Sequence, residues 1–298
     1  MPRPLIAVSR PNFLTLTLAC ILLAASLTWY QQQALPFWRT GWVLVLALLA
    51  HISVNALNEY EDWRSGLDQH TLKTPFSGGS GALVRQPEAA PLALWWGCLS
   101  LALVVVGGLW LTAQVSWQLL WLGIPGVLLI WSYTRYLNRQ PVACYLAPGA
   151  GFGLVMFPGA TYVLGGELSA GTWVTGLIVL LAVSNLLLLN QFPDVAADRR
   201  AGRRHLPILL GPRAAAHWWL GAWLSAALLL GLGTGLTILP AGSVWLIGVL
   251  AVVPVIWHRL LKVGFSWQEL PILLFSQVVL VHMLLLGLAL VWLLAAGS

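Results

Sequence analysis

Nine apolar runs divide this sequence, and they constrain its fold more than any other feature. They fall near residues 12–30, 40–58, 92–114, 117–134, 142–164, 172–190, 215–238, 242–258 and 271–295. A run of roughly 20 apolar residues is long enough to cross the hydrocarbon core of a bilayer as a helix. Inside that core each backbone N–H and C=O must find a partner within the chain, so the runs predict helices and not open strands. Pro125, Pro158 and Pro254 fall inside the runs, which a bundle tolerates because neighbouring helices re-satisfy the freed backbone groups. The sequence is 59% hydrophobic and only 8% charged, which excludes an ordinary soluble domain. The first run follows Arg3 and Arg10 without a small-residue cleavage site, and reads as a retained helix, not a signal peptide. No linker interrupts the pattern, so residues 1–298 are expected to form a single all-α membrane domain, a bundle of nine helices.

Orientation follows from the basic residues. With nine spans, all but Arg39 of the 15 Lys and Arg fall on the side that carries the N-terminus. That bias puts the N-terminus in the cytoplasm of a multi-pass protein of the cytoplasmic membrane. The net charge of +6 is thereby an orientation signal, and nucleic acid is not needed as a partner. Cys20, Cys98 and Cys144 lie far apart and show neither metal-ligand nor disulfide spacing, so they read as small core residues. His51 and His282 read as groups bonded to helix neighbours, whereas His70 and His205 fall near the acidic stretches described next.

Six of the nine carboxylates sit in two short stretches. One runs from Asn55 through Asn58, Glu59, Glu61 and Asp62 to Asp68, and the other from Asn190 through Asp194 and Asp198 to Arg204. Each follows an apolar run, and the topology puts both on the cytoplasmic side. Ionisable groups at membrane depth are costly, and a functional role is the default reading for them. Asn58 and Asp62, Asn190 and Asp194, and Asp194 and Asp198 are each four apart, which on a helix places a pair on one face. Carboxylates so close repel unless a cation lies between them. Oxygen donors without cysteine or paired histidine favour a hard ion such as Mg²⁺, which typically takes one or two carboxylates and completes its shell with water and substrate phosphate.

Asp68, beyond Gly66 where the helix is expected to end, could fold back toward the same ion. Lys73 after the first stretch, and Arg203 and Arg204 after the second, could neutralise a diphosphate leaving group, although the positive-inside bias alone accounts for some of these residues. The stretch from Thr74 to Gly81 is rich in backbone donors that could close over an anion. Ionising an allylic diphosphate leaves a carbocation, which aromatic π faces can stabilise. Tyr60, Trp63, Phe76, Trp131, Tyr133, Tyr136 and Phe192 are candidates, with Tyr133 foremost. An aromatic belt at the interface explains most of the others.

These residues resemble the UbiA superfamily of intramembrane prenyltransferases. Asn58-Glu59-Tyr60-Glu61-Asp62 with Asp68 occupies the family's first motif, and Asp194, Asp198, Gly202, Arg203 and Arg204 match its second. Arg10-Pro11 and Tyr133-Thr134 also fit, and the spacing through Gly66 to Asp68 is similar to the branch that prenylates 1,4-dihydroxy-2-naphthoate. The resemblance implies nine helices around a central cavity that opens to lipid, with an active site facing the cytoplasm. It implies that Asn58, Asp62, Asp68, Asp194 and Asp198 bind Mg²⁺-diphosphate, directly or through water, that Asn190 supports the second set, and that Lys73 and Arg204 contact diphosphate oxygens. A polyprenyl diphosphate and an aromatic small molecule would be the substrates. Glu59 departs from the family's usual Asp. Ala147-Pro148-Gly149-Ala150-Gly151, expected as the loop after the fourth helix, lacks the acidic residue usual there, and His205 stands in place of a Thr.

The acceptor therefore stays open between dihydroxynaphthoate and another phenol such as 4-hydroxybenzoate or homogentisate. A secondary transporter of an anionic substrate would also explain the spans and the basic loops. Transporter sites, however, lie near the bilayer midplane on interrupted helices, and these acids sit at helix ends.

Overall fold

The computed structural model describes residues 2–69, 79–263 and 269–297, and every regular element among them is helical. The apolar runs become α1 (Pro11–Gln32), α2 (Phe37–Arg64), α3 (Pro87–Gln114), α4 (Trp117–Tyr133), α5 (Pro141–Val163), α6 (Ala170–Asn190), α7 (Leu206–Gly235), α8 (Ala241–Val263) and α9 (Leu270–Ala295). Among the described residues eight of these are long and apolar enough to cross a bilayer, and α4 is the shorter ninth. Its start is fixed locally, where the Ser116 hydroxyl accepts the Gln118 N–H at 3.2 Å. α7 begins well before its apolar run and is broken at Gly211, whose φ of 76° is not helical.

Consecutive helices pack side by side, and α9 closes against α1 and α6. Large apolar side chains such as Trp95, Trp121 and Trp245 face outward, as lipid requires. With apolar groups outside as well as inside, helix association depends on close packing and buried hydrogen bonds. Ser53 on α2 donates to the Gly97 carbonyl on α3 at 2.8 Å. The α5–α6 seam is tighter. A Cβ on Gly149 would lie 2.2 Å from the Leu180 carbonyl oxygen, and one on Gly153 would lie 2.2 Å from that of Gly176. Only glycine permits that approach of two backbones. Pro148, one turn before, removes a backbone donor, and the helix widens into a π-helical stretch over Gly151–Met156.

The arrangement encloses a chamber of about 650 Å³. Its described wall comes from α1 to α6 and the short segments next to them, while α7, α8 and α9 contribute nothing to it: α7 and α9 back α6 and α1 from outside, and α8 packs on α7 and α9. The wall is apolar over most of its depth and polar at one end. Ala147, Pro148 and Gly151 belong to this wall inside α5, which corrects the expectation of a loop there. Cys20 and Cys144 are buried as expected, whereas Cys98 is exposed on the outer face of α3.

Candidate active site

The two acidic stretches meet at the polar mouth of the chamber. α2 remains helical to Arg64, so Asn58 and Asp62 share a face, and the Asn58 amide donates to Asp62 Oδ2 at 2.8 Å. Thr134, just past α4, donates to Asn58 Oδ1 at 3.2 Å. The chain then turns at Gly66, and one 3-10 turn, Leu67–Gln69, brings Asp68 back, buried, onto the chamber wall.

The second stretch is built differently. α6 stops at Asn190, residues 191–194 form a turn, and a short helix, Val195–Arg200, follows. Pro193 lacks an N–H and disfavours helix at the residue before it. Asn190 and Asp194 therefore do not share one continuous helix, contrary to their spacing. Asp194 and Asp198 do span one turn, with the Asp198 N–H donating to the Asp194 carbonyl at 2.8 Å. That helix ends in a Schellman turn: the Arg203 N–H reaches the Asp198 carbonyl at 2.9 Å and the Gly202 N–H reaches that of Arg199 at 3.2 Å. Gly202 takes φ 74°, the left-handed region that glycine enters without strain. The turn lays Arg203 back over Asp198.

Arg203 joins the two motifs. Its guanidinium donates to Asp62 and, at 3.0 Å, to Asp198 Oδ1, while His205 Nε2 bonds the other Asp198 oxygen at 2.9 Å. Burial by itself would lower the guanidinium's pKa. The carboxylates of Asp62 and Asp198 outweigh that, and hold it above its ordinary value. The repulsion anticipated between close carboxylates is thus relieved, in part, from within the chain.

Tyr133, Asn190 and Asp194 line the same mouth. Arg204 does not: its side chain is exposed, and its backbone N–H donates to the Asn138 carbonyl at 3.3 Å. Lys73, His70, Phe76 and the 74–78 part of the Gly/Ser stretch lie outside the described residues. Of the other aromatic candidates, Tyr60 and Trp63 pack beside the Pro2–Val8 helix, Trp131 and Tyr136 face outward, and Phe192 is buried in the core. Tyr133 alone among those described lines the chamber.

Glu59 has a role its motif position did not signal. It is fully buried beside the chamber, where Arg10 Nε donates to it at 2.7 Å, and the Ser80 N–H and hydroxyl each donate at 2.6 Å. Glu59 thus ties the start of α1 and the loop after Gly79 to α2. Glu61 faces away and pairs with Arg64 and Arg135, each at 3.3 Å. His205, Asn138 and Gln191 also line the mouth, and only His205 had drawn notice, through its nearness to the second stretch.

Among the described residues, no three of His, Cys, Asp and Glu converge as a ready-made metal cage. The donor set nevertheless fits Mg²⁺, which needs only one or two carboxylates when phosphate and water complete its shell. The mouth offers carboxylate and amide oxygens, and Asn190 Oδ1 is buried with no hydrogen-bond partner among the described residues.

The comparisons with known proteins agree with this geometry. The sequence pattern of the UbiA prenyltransferase family matches residues 17–270. The chain is 25% identical over 257 residues to a 1,4-dihydroxy-2-naphthoate octaprenyltransferase of Bacillus subtilis (strain 168), covering 83% of this chain and 77% of that one. It is 29% identical over 215 residues to an enzyme of the same name from Escherichia coli (strain K12), covering 68% and 67%. A UbiA homolog from Archaeoglobus fulgidus, bound to GPP and Mg²⁺, superposes with a TM-score of 0.64 over 97% of this chain and 99% of that one, at 12% identity. The wall of helices, the paired acidic motifs and the match along most of the sequence lead to one assignment: this chain is a multi-pass membrane protein that belongs to the UbiA prenyltransferase family.

Proposed function

We propose that this protein, as one domain over its whole length, transfers a polyprenyl group from an allylic diphosphate to 1,4-dihydroxy-2-naphthoate in a Mg²⁺-dependent reaction. The observation that carries the reading is the single mouth where both acidic motifs meet above an apolar chamber. The two naphthoate octaprenyltransferase relatives favour that acceptor over other phenols. The basic bias of the loops favours a site facing the cytoplasm from the cytoplasmic membrane.

Asp62, Asp68, Asp194 and Asp198, with the amide oxygens of Asn58 and Asn190, would hold Mg²⁺ directly or through water. Bound there, it would neutralise charge developing on the departing diphosphate. Arg203 already spans the motifs and can turn an N–H toward a diphosphate oxygen, with Lys73 as a further cationic contact. Tyr133 presents its ring at the mouth, where the carbocation forms. The apolar wall accepts the prenyl chain and keeps water from that cation. The aromatic ring then attacks the prenyl carbon.

The test is direct. Purified protein in detergent receives labelled prenyl diphosphate, Mg²⁺ and a panel of dihydroxynaphthoate, 4-hydroxybenzoate and homogentisate. A prenylated naphthoate that disappears with chelator is expected. A product from another phenol alone would reassign the acceptor, and no product from any would overturn the reading.

A further inference from the structure

Four polar residues of α2 line the chamber in register, Asp62, Asn58, Asn55 and His51. The first three belong to the mouth or lie beside it. His51 lies seven residues below Asn58, about 10 Å deeper along the helix axis, with Asn55 one turn above it and Ala47, Ala50 and Val54 as its other α2 neighbours on the wall. Among the described lining residues, the other titratable side chains belong to the mouth. The imidazole is held in place: Nδ1 bonds the Thr17 hydroxyl of α1 at 2.8 Å, and the ring stands edge-on to Phe152 with centroids 5.3 Å apart. Nε2 makes no hydrogen bond to a described residue, yet it is not among the buried atoms sealed off without a partner, so it opens to the chamber. An oriented ring with one free nitrogen, at the deep end of the polar row and at membrane depth, is an expensive arrangement without a ligand.

We propose that His51 is the proton acceptor for the aromatic substrate. The inference rests on the acceptor class argued above. In the tautomer with its proton on Nδ1, shared with Thr17, Nε2 accepts a hydrogen bond from a phenolic hydroxyl. As a ring carbon bonds to C1 of the prenyl group, the diphosphate keeps the electron pair of the broken C1–O bond. The hydroxyl proton passes to Nε2, and the O–H pair moves into the ring as a carbonyl. The substituent displaced from that ring carbon then leaves without its bonding pair, and Nε2 returns its proton to the oxygen. The depth of His51 below the mouth leaves room for an aromatic ring between imidazole and diphosphate.

His51→Asn is the discriminating variant, because its amide can still bond Thr17 while the atom at Nε2 is gone. We expect turnover to fall by about 100-fold, the general range for lost acid–base catalysis, and KM for the aromatic substrate to rise. KM for prenyl diphosphate and the melting temperature should stay at wild-type values. Wild-type acceptor kinetics in this variant, or equal rises in both KM values, would overturn the role of His51. A wild type that prenylates no phenol would instead remove the acceptor reading, and His51's role with it. Should the variant fail to accumulate, wild-type protein can be treated with diethyl pyrocarbonate and His51 followed by peptide mass. Dihydroxynaphthoate is expected to slow its modification, whereas inorganic diphosphate with Mg²⁺ is not. Modification unaffected by the naphthoate would overturn the proposal.

Discussion

The two acidic motifs face each other across one mouth and are made in opposite ways. The first takes its geometry from an unbroken helix, in which Asn58 and Asp62 are neighbours because α2 continues past them. The second takes its geometry from interruptions: α6 stops, Pro193 turns the chain, and a Schellman turn at Gly202 folds Arg203 back over Asp198. Helical periodicity alone suffices to place a pair of donors, while a residue that must reach across the site needs a turn to aim it.

The comparison can be broken at its ends. Asp62→Ala, Asp194→Ala and Asp198→Ala should each lower turnover of labelled prenyl diphosphate by on the order of 1,000-fold, as the loss of a charge-stabilising group at a reacting centre does. Membrane yield should stay normal, and near-wild-type turnover in any one of them would refute a site shared by both motifs. Arg203→Ala removes the link itself. A drop of about 100-fold is expected, with Arg203→Lys recovering part of it, because the lysine keeps the charge but loses the fork that serves two carboxylates.

Gly202→Ala tests the turn. A left-handed alanine costs roughly 1–2 kcal/mol, so the melting temperature should fall modestly while KM for prenyl diphosphate rises as Arg203 loses its aim. Glu59→Ala tests the first motif's lock. It leaves Arg10 and the Ser80 donors without their buried partner, and a thermal melt should show the loss. Turnover at low temperature should survive better than in Asp62→Ala. Arg204→Ala should change turnover by less than about threefold, since exposed charges contribute little. A larger effect would mean that its side chain turns inward when substrate binds.

Sequence alone carried the helices, because an apolar run of spanning length leaves the backbone little choice. It carried the shared face of Asn58 and Asp62 for the same reason, since spacing on one continuous helix translates directly into a face, while Gly66 marked the turn that brings Asp68 back. It misjudged Asn190 and Asp194 because a proline between them broke the periodicity the spacing assumed. The apolar run over 142–164 covered Ala147–Gly151, and only the family resemblance made that stretch a loop; here its glycines and proline permit a helix to widen and to touch its neighbour. Glu59 looked like a substituted ligand, and its partners Arg10 and Ser80 lie 49 and 21 residues away in the chain. Only tertiary structure brings such groups together. His51 was legible as a helix residue bonded to a neighbour, but neither its partner on α1 nor its opening to the chamber was.

The glycine seam between α5 and α6 bears on how such a chamber can be altered. Gly149 and Gly153 abut the α6 backbone and do not line the chamber, so they set how closely α5 and α6 stand together. Random drift or deliberate redesign of substrate size must leave those two glycines in place and act on residues that line the chamber. On α3 and α4, for example, a methyl group added at Gly108 or Gly123 would meet nothing within 4 Å. The fold has a fixed seam and an adjustable lining, and libraries aimed at prenyl length are best concentrated on the second.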